Sequence, residues 1–434
     1  MNLSILTSRL HLIISFIFIL SFLHGCAVIN KTQVESSLSS GYPERTIERN
    51  EFSVAKENDV IGRLAVIRLE KGDTLPDIAR HFSLGINEIS VANPGVDVWV
   101  PEAGRRIVLP LSFILPDAPR KGIVINLATM RLFRFKEDQK SLAVSTYPVG
   151  VGTIEKPTPM GQAYVERKVT RPTWYVPASI AGAHRKKGDI LPPAVPPGPE
   201  NPLGEYALYL SKSSYLIHGT NKPSSIGLKA TNGCIRLYPE DIKKLYEKTP
   251  VNTPVSIINQ PYLIGQLNGV VYLEVHASVE EQNSVELKKI FAELRKIEKK
   301  SARTIDWIKV DEALAEARGI PVPILEISQE VENNEKMIRI RHPGKLYGSP
   351  EIPELNMEAW YVLAAELRDA TDASRLAAII NHQGPPIPAR ILAKNDNYRV
   401  IAGPFNNISA AKDAAKRLKI DLEIEGILIE PVRN

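Results

Sequence analysis

The sequence predicts a multidomain chain: a small β-α-α-β unit, a mainly-β domain, and a C-terminal α+β unit in βαββαβ order. Three observations predict it. Residues 63–111 carry a strand pattern, two short helical patterns and a second strand pattern. The middle of the chain holds many short apolar runs punctuated by Gly and Pro. Residues 356–432 carry strand-like runs at Trp360 to Leu363, Tyr398 to Phe405 and Ile427 to Ile429 with two helical runs between them. A length of 434 residues suits roughly three domains at ~150 residues each. The formal charge of +5 is small for this length and does not suggest a nucleic-acid binder.

The start of the chain comes first. Arg9 precedes an apolar run, Leu12 to Leu23. A helix needs ~20 apolar residues to span a bilayer, so residues 1–25 read as a secretory signal. Leu23-His24-Gly25-Cys26 resembles a bacterial lipobox, with His24 in place of the usual small residue. The resemblance implies a lipid on Cys26 and attachment to the membrane by that anchor only. Ala27 behind it implies, by the same resemblance, sorting to the outer membrane of a Gram-negative bacterium, facing the periplasm. Ordinary signal cleavage and an uncleaved anchor are the alternatives. Residues 26–62 are polar without a repeating apolar pattern and read as a tether. The only other cysteine is Cys234, which has no intramolecular partner if Cys26 is lipidated.

In residues 63–111, Val66 to Leu69 suits a strand and Lys71-Gly72-Asp73-Thr74 a turn. Thr74 with Asp77 makes a capping box, and Leu75, Ile78, Ala79 and Phe82 follow at helical spacing. A second helix over Ile86 to Ala92 stops at Asn93-Pro94-Gly95, and Arg106 to Pro110 closes as a strand. GDTLPDIARHF followed by ANPG resembles a LysM module, which implies binding to N-acetylglucosamine-containing glycan. Pro76 departs from that family's pattern. The alternative is a spacer without ligand.

Residues 120–259 form the mainly-β domain, with runs such as Ile123 to Leu127, Arg131 to Phe135, Ser141 to Val149, Tyr206 to Leu210 and Tyr215 to Ile217. Between them, Arg185 to Gly204 carries six prolines and is expected to lack regular structure, as a lid or substrate wall. Cys234 follows Gly233, whose freedom lets the backbone approach a substrate closely. A cysteine nucleophile needs a base and donors for the oxyanion. Histidine suits the base, because imidazolium also stabilises a thiolate. His184, His218 and His276 are the candidates by position.

YLIHGT and GLKATNGCIRLYPEDI resemble the signature of the L,D-transpeptidase catalytic domain, the YkuD type. INLATMRLFRF, PVGVGTIEKPTPMG and RPTWYVP also fit, and LPPAVPPGPENPLG resembles the branch found in Gram-negative envelopes. The resemblance implies that Cys234 is the nucleophile and His218, in HGT with Gly219, its base. It places the active-site arginine at Arg236, with Gly233, Thr231 and Asn232 as support. Asn232 stands where the family commonly has histidine, so a proton role for a second histidine is absent. Arg236 positions the loop or a substrate carboxylate; an ion pair with Glu240 or Asp241 is the structural alternative. The implied reaction cleaves the meso-diaminopimelate–D-alanine bond of a tetrapeptide stem and passes the acyl group to an amine. A second stem, an envelope lipoprotein, a free D-amino acid and water all remain open as acceptors. No metal and no cofactor are expected. A catalytically inert wall-binding protein and a hydrolase on the same site are the alternatives.

Residues 260–355 read as a helical and irregular connector, with Leu287, Ile290, Leu294 and Ile297 along one stripe. Residues 356–432 suggest a ferredoxin-like fold. AWYVLAAELRDATDASRLAAII and NYRVIAGPFNNISAAKDAAKRL resemble a SPOR domain, which implies binding to glycan strands stripped of their stems. Ala365-Glu366-Leu367 replaces that family's usual Gly-Ser-Phe. A degenerate docking domain is the alternative.

Overall fold

The computed structural model describes residues 47, 49–137, 141–277, 280–301, 303–325 and 337–432. The leader and Cys26 lie outside the described residues. The tether expected over 26–62 is corrected at its end, where β1 (Glu51–Ala55) and β2 (Val60–Gly62) are strands. Phe52 and Val54 point inward between exposed Glu51 and Ser53, a two-residue period too brief to stand out amid polar sequence.

β3 (Ala65–Arg68) and β4 (Arg106–Leu109) pair antiparallel around α1 (Leu75–His81) and α2 (Ile86–Ala92). The Thr74 hydroxyl accepts from the Asp77 amide at 3.2 Å and so starts α1. Glu88 in α2 accepts from the Gly85 amide at 2.5 Å. Its carboxylate also takes two bonds from Arg131, at 2.7 and 2.8 Å, in an ion pair that is almost wholly buried. The strand–helix–helix–strand unit is thereby joined to the central domain.

β5 (Ser112–Ile114) pairs with β2, and the chain then enters the central sheet. Its strands are β6 (Gly122–Asn126), β7 (Arg131–Glu137), β8 (Ser141–Pro148), β10 (Gly161–Thr170), β13 (Tyr206–Leu210), β14 (Leu216–His218), β16 (Ile235–Arg236) and β17 (Pro254–Ile258), besides β1. The order is β1-β8-β7-β6-β17-β10-β13-β14-β16. β9 (Val151–Gly152) pairs with β15 (Lys229–Thr231) to one side. Ile125, Leu132, Leu208, Ile217 and Ile235 share one core, closed by α4 (Pro239–Lys248) through Ile242 and Leu245. The proline-rich segment is more regular than expected. β11 (Trp174–Tyr175) pairs with β12 (Ala194–Val195), and α3 (Ala178–Lys186) lies between them. The buried Asn201 amide organises that segment by donating to Pro172, Val195 and Pro196 carbonyls, which supplies the donors that proline lacks.

The connector is also more folded than expected. β18 (Tyr262–Leu267), β19 (Val270–Val275) and β20 (Val322–Pro323) form a sheet covered by α5 (Glu280–Ser301) and α6 (Trp307–Glu316). Leu273, Leu294, Val310 and Ile324 make its core. Asn268 and Gly269, both at positive φ, turn β18 into β19, as such a pair does in a two-residue hairpin. β21 (Ile338–Arg339) runs parallel to β3.

The C-terminal unit has the βαββαβ order: β22 (Trp360–Leu367), α7 (Ala370–Asn381), β23 (Ala389–Lys394), β24 (Asn397–Phe405), α8 (Ile408–Leu422) and β25 (Ile427–Ile429). Sheet order β23-β24-β22-β25 is the ferredoxin-like topology. Asp369 and Asn407 cap the two helices.

Candidate active site

β14 and β16 are parallel neighbours, with Ile217 opposite Ile235 and His218 opposite Arg236. Alternation sends the two isoleucines into the core and His218 and Arg236 to the other face. Cys234, two residues before Arg236, reaches that same face. His218, Cys234 and Arg236 line one cavity of about 1180 Å³.

The turn before the cysteine requires glycine. Gly233 sits at φ +104, and a Cβ there would lie 2.7 Å from the Tyr215 ring and 3.2 Å from the Pro157 carbonyl. Thr231 ties the turn together: its hydroxyl donates to the Cys234 carbonyl at 2.6 Å and accepts from the Gly233 amide at 3.1 Å. The Gly233 amide, expected as active-site support, is thus taken up by Thr231. Asn232 is exposed, and its side-chain oxygen accepts from Lys156 Nζ at 2.8 Å.

The partly exposed thiol packs with Leu203, Ala207, Leu216, Trp174 and Tyr209. It donates to the Ser214 carbonyl at 3.7 Å. Burial pushes its pKa up, against a main-chain hydrogen bond at Leu216 and the Arg236 charge. His218 is buried, and burial first, then the Arg236 charge, pushes its pKa down to about 3. Its Nδ1 lies 2.7 Å from the Gly219 carbonyl, which fixes the proton there and leaves Nε2 as the base. The Gly219 and Leu203 carbonyls both favour the protonated ring. The resting pair is thus a neutral thiol and a neutral imidazole. Desolvation of both groups opposes separated charge, so the thiolate–imidazolium pair considered from the sequence is disfavoured in the resting site. Gly219 is itself hemmed in, its missing Cβ 3.1 Å from Ile242 and 3.3 Å from the Leu203 carbonyl.

Arg236 makes neither of the ion pairs considered from the sequence. Glu240 binds Arg80 through two 3.0 Å bonds, and among the described residues Asp241 has only Lys244, at 4.0 Å. Arg236 donates to Ser225 Oγ at 2.9 Å, and its buried Nε has no partner among the described residues. Of the other candidate histidines, His184 lines the cavity and bonds Asp189 at 2.9 Å. His276 is buried in the connector sheet against Glu274 at 2.6 Å, away from the cavity. Sequence reasoning missed Lys156, whose bond to Asn232 joins residues far apart in the chain, and the part of the cavity wall that comes from α8.

Residues 120–257 match the YkuD L,D-transpeptidase catalytic domain, and residues 356–430 match the SPOR domain. The chain is 38% identical over 280 residues to the probable L,D-transpeptidase YbiS of Escherichia coli K12, covering 61% of this chain and 88% of that one. It belongs to the L,D-transpeptidase family. The probable L,D-transpeptidase ErfK/SrfK of the same organism is 36% identical over 283 residues, covering 63% of this L,D-transpeptidase and 89% of its relative. YcfS, also from E. coli K12, is 38% identical over 243 residues, with 55% and 71% covered. His218, Cys234 and Arg236 all fall within the matched catalytic domain of this L,D-transpeptidase.

Proposed function

We propose that this enzyme is a peptidoglycan L,D-transpeptidase in which Cys234 is the nucleophile and His218 the base. The observation that carries this reading is the cavity shared by a neutral imidazole at the end of β14 and a partly exposed thiol just before the neighbouring β16. As Sγ attacks the carbonyl between meso-diaminopimelate and D-alanine, His218 Nε2 takes the thiol proton. The C–N bond then breaks, and the imidazolium gives that proton to the leaving D-alanine amine. A thioester remains. An acceptor amine attacks it, His218 takes the amine's proton, and sulfur leaves and is reprotonated. A turn of the thiol away from Ser214 starts the sequence, since catalytic hydrogen bonds commonly tighten only with substrate bound. The Cys234 amide is the donor for the oxyanion, a contribution of ~3 kcal/mol in related acyl transfer. Arg236, anchored by Ser225, faces a stem carboxylate.

Lipidation of Cys26 and a periplasmic position on the outer membrane fit this substrate. The SPOR domain holds glycan strands stripped of their stems, and this tether raises the local concentration of the wall at the active site. For the unit resembling LysM, a specific observation favours the spacer reading over glycan binding. Asp77 meets His382 at 3.2 Å, Asp97 meets Arg375 at 2.9 Å, and His81 takes the Tyr347 amide at 2.8 Å. Its α1 end and the loop after α2 are thus covered by the chain itself.

Purified protein incubated with tetrapeptide muropeptides and analysed by mass spectrometry tests the reading. Cross-linked or exchanged products that vanish with Cys234→Ala support it. Tripeptide alone identifies a hydrolase, and unchanged substrate an inert wall binder.

A further inference from the structure

The cavity that holds Cys234 is not enclosed by the catalytic domain alone. Gly384, Pro385, Lys416, Arg417, Ile420 and Asp421, all from the SPOR domain, line it as well. We propose that the SPOR domain is a positioning wall of the transferase, holding both the segment after His218 and the lid helix α3 in the geometry that acyl transfer to an amine requires.

The segment after His218 lies between two neighbours. On one side the Ile86 amide donates to the Ile226 carbonyl at 3.0 Å, and Gly227 packs so closely that a Cβ would lie 2.6 Å from the Ile86 nitrogen. On the other side Ser224 Oγ donates to the His382 carbonyl at 3.0 Å. Gly384 rests on Asn221, where a Cβ would come within 1.8 Å of the Asn221 carbonyl oxygen. Lys222 reaches Asp421 at 3.5 Å. Ser225, within the same segment, holds Arg236. A shift of the 382–385 turn therefore moves the anchor of Arg236 and the backbone that follows His218.

The lid is tied to the same domain. α3 buries none of its residues, so little apolar packing fixes it. Asp189, just after it, uses one carboxylate oxygen for His184 Nδ1 and the other for Lys416 Nζ, each at 2.9 Å. Lys416 belongs to α8. Ser179, Ile180 and His184 of α3 line the cavity, so this latch ties one of its walls to the SPOR domain. A closed wall limits the water that reaches the thioester and favours an amine acceptor over hydrolysis.

The inference rests on Cys234 as nucleophile for its activity readout only; thiol accessibility reads the wall independently. The full chain and its variants Lys416→Glu, Lys416→Arg and Gly384→Val are labelled with iodoacetamide and with a bulky maleimide, and the Cys234 peptide is followed by mass spectrometry. In parallel, the ratio of cross-linked product to hydrolysed tripeptide is measured. Lys416→Glu is expected to raise bulky-maleimide labelling about fivefold, the equivalent of one partly exposed ion pair, and Gly384→Val, which forces a side chain against Asn221, to raise it as well. They are also expected to shift products toward tripeptide, and Lys416→Arg should behave as wild type. Lys416 is half exposed, so Lys416→Glu decides the matter even if Gly384→Val fails to fold. Labelling and product ratio both unchanged in folded Lys416→Glu would overturn the proposal. Changed labelling without any activity in wild type would overturn only the assignment of Cys234.

Discussion

Replacing Asp241 by Asn will stabilise the protein above pH 7 and leave it nearly unchanged near pH 4. The carboxylate is fully buried in the first turn of α4, and neither oxygen has a hydrogen-bond partner among the described residues. Burial first, then the Glu240 charge, raise its pKa from 3.8 to about 7, against weaker opposing effects of Lys244, Arg131 and Arg80. Between those two values the native state holds a proton that the unfolded chain releases. The stability from this group is therefore fully present below pH 3.8 and lost as pH rises through 7. The difference is on the order of 4 kcal/mol, at about 1.4 kcal/mol per pKa unit. His218 works the other way. Its pKa falls from 6.5 to about 3 in the fold, so its stability is complete above pH 6.5 and lost as pH falls toward 3. Urea unfolding of wild type and Asp241→Asn at pH 4, 6 and 8.5 separates the two, because the mutation leaves His218 in place. The gap between the curves should widen with pH. A gap that is constant with pH, or widest at pH 4, would refute the assignment of a protonated buried Asp241.

Other outcomes follow from the same geometry. Gly233→Ala forces a side chain into the Tyr215 ring at a positive φ and should lower kcat about 10²-fold in a D-alanine release assay, with the fold retained by circular dichroism. Thr231→Val orphans the Gly233 amide and frees the Cys234 carbonyl, at a cost of about 1–3 kcal/mol in stability or transition-state energy, read from Tm and kcat/KM. Glu88→Ala leaves the buried Arg131 guanidinium without its counter-charge, with only the Ser83 carbonyl and Thr146 hydroxyl as described partners, and should destabilise by about 3–5 kcal/mol in urea unfolding. With the imidazole neutral down to about pH 3, kcat/KM for D-alanine release should lack an acid limb near 6.5. A fall centred there would mean that His218 is less buried than the structure shows.

Short, periodic and locally capped features were legible in the sequence. Thr74 with Asp77 marked the start of α1, and the apolar run Tyr215 to Ile217 marked a strand ending at His218. The HGT and GCIR segments marked two ends of one site by resemblance. β1 was not legible, because two apolar residues among polar ones do not make a pattern. The Asn268–Gly269 turn was legible in principle, since apolar runs flank it on both sides. Arg131 read as an ordinary strand residue. Its burial depends on Glu88, which lies in a different unit and carries no local mark. The protonation states of His218 and Cys234 were not legible for a related reason: they follow from burial, and the packing of Leu203 and Trp174 around the thiol joins segments whose meeting has no local mark.

The most direct measurement is a peptide map of enzyme quenched in acid during turnover of a tetrapeptide muropeptide. The peptide containing Cys234 should gain the mass of the stem less D-alanine, and an adduct should be missing from Cys234→Ala. D-alanine release that persists in Cys234→Ala, or an acyl group carried on another side chain, would contradict the account.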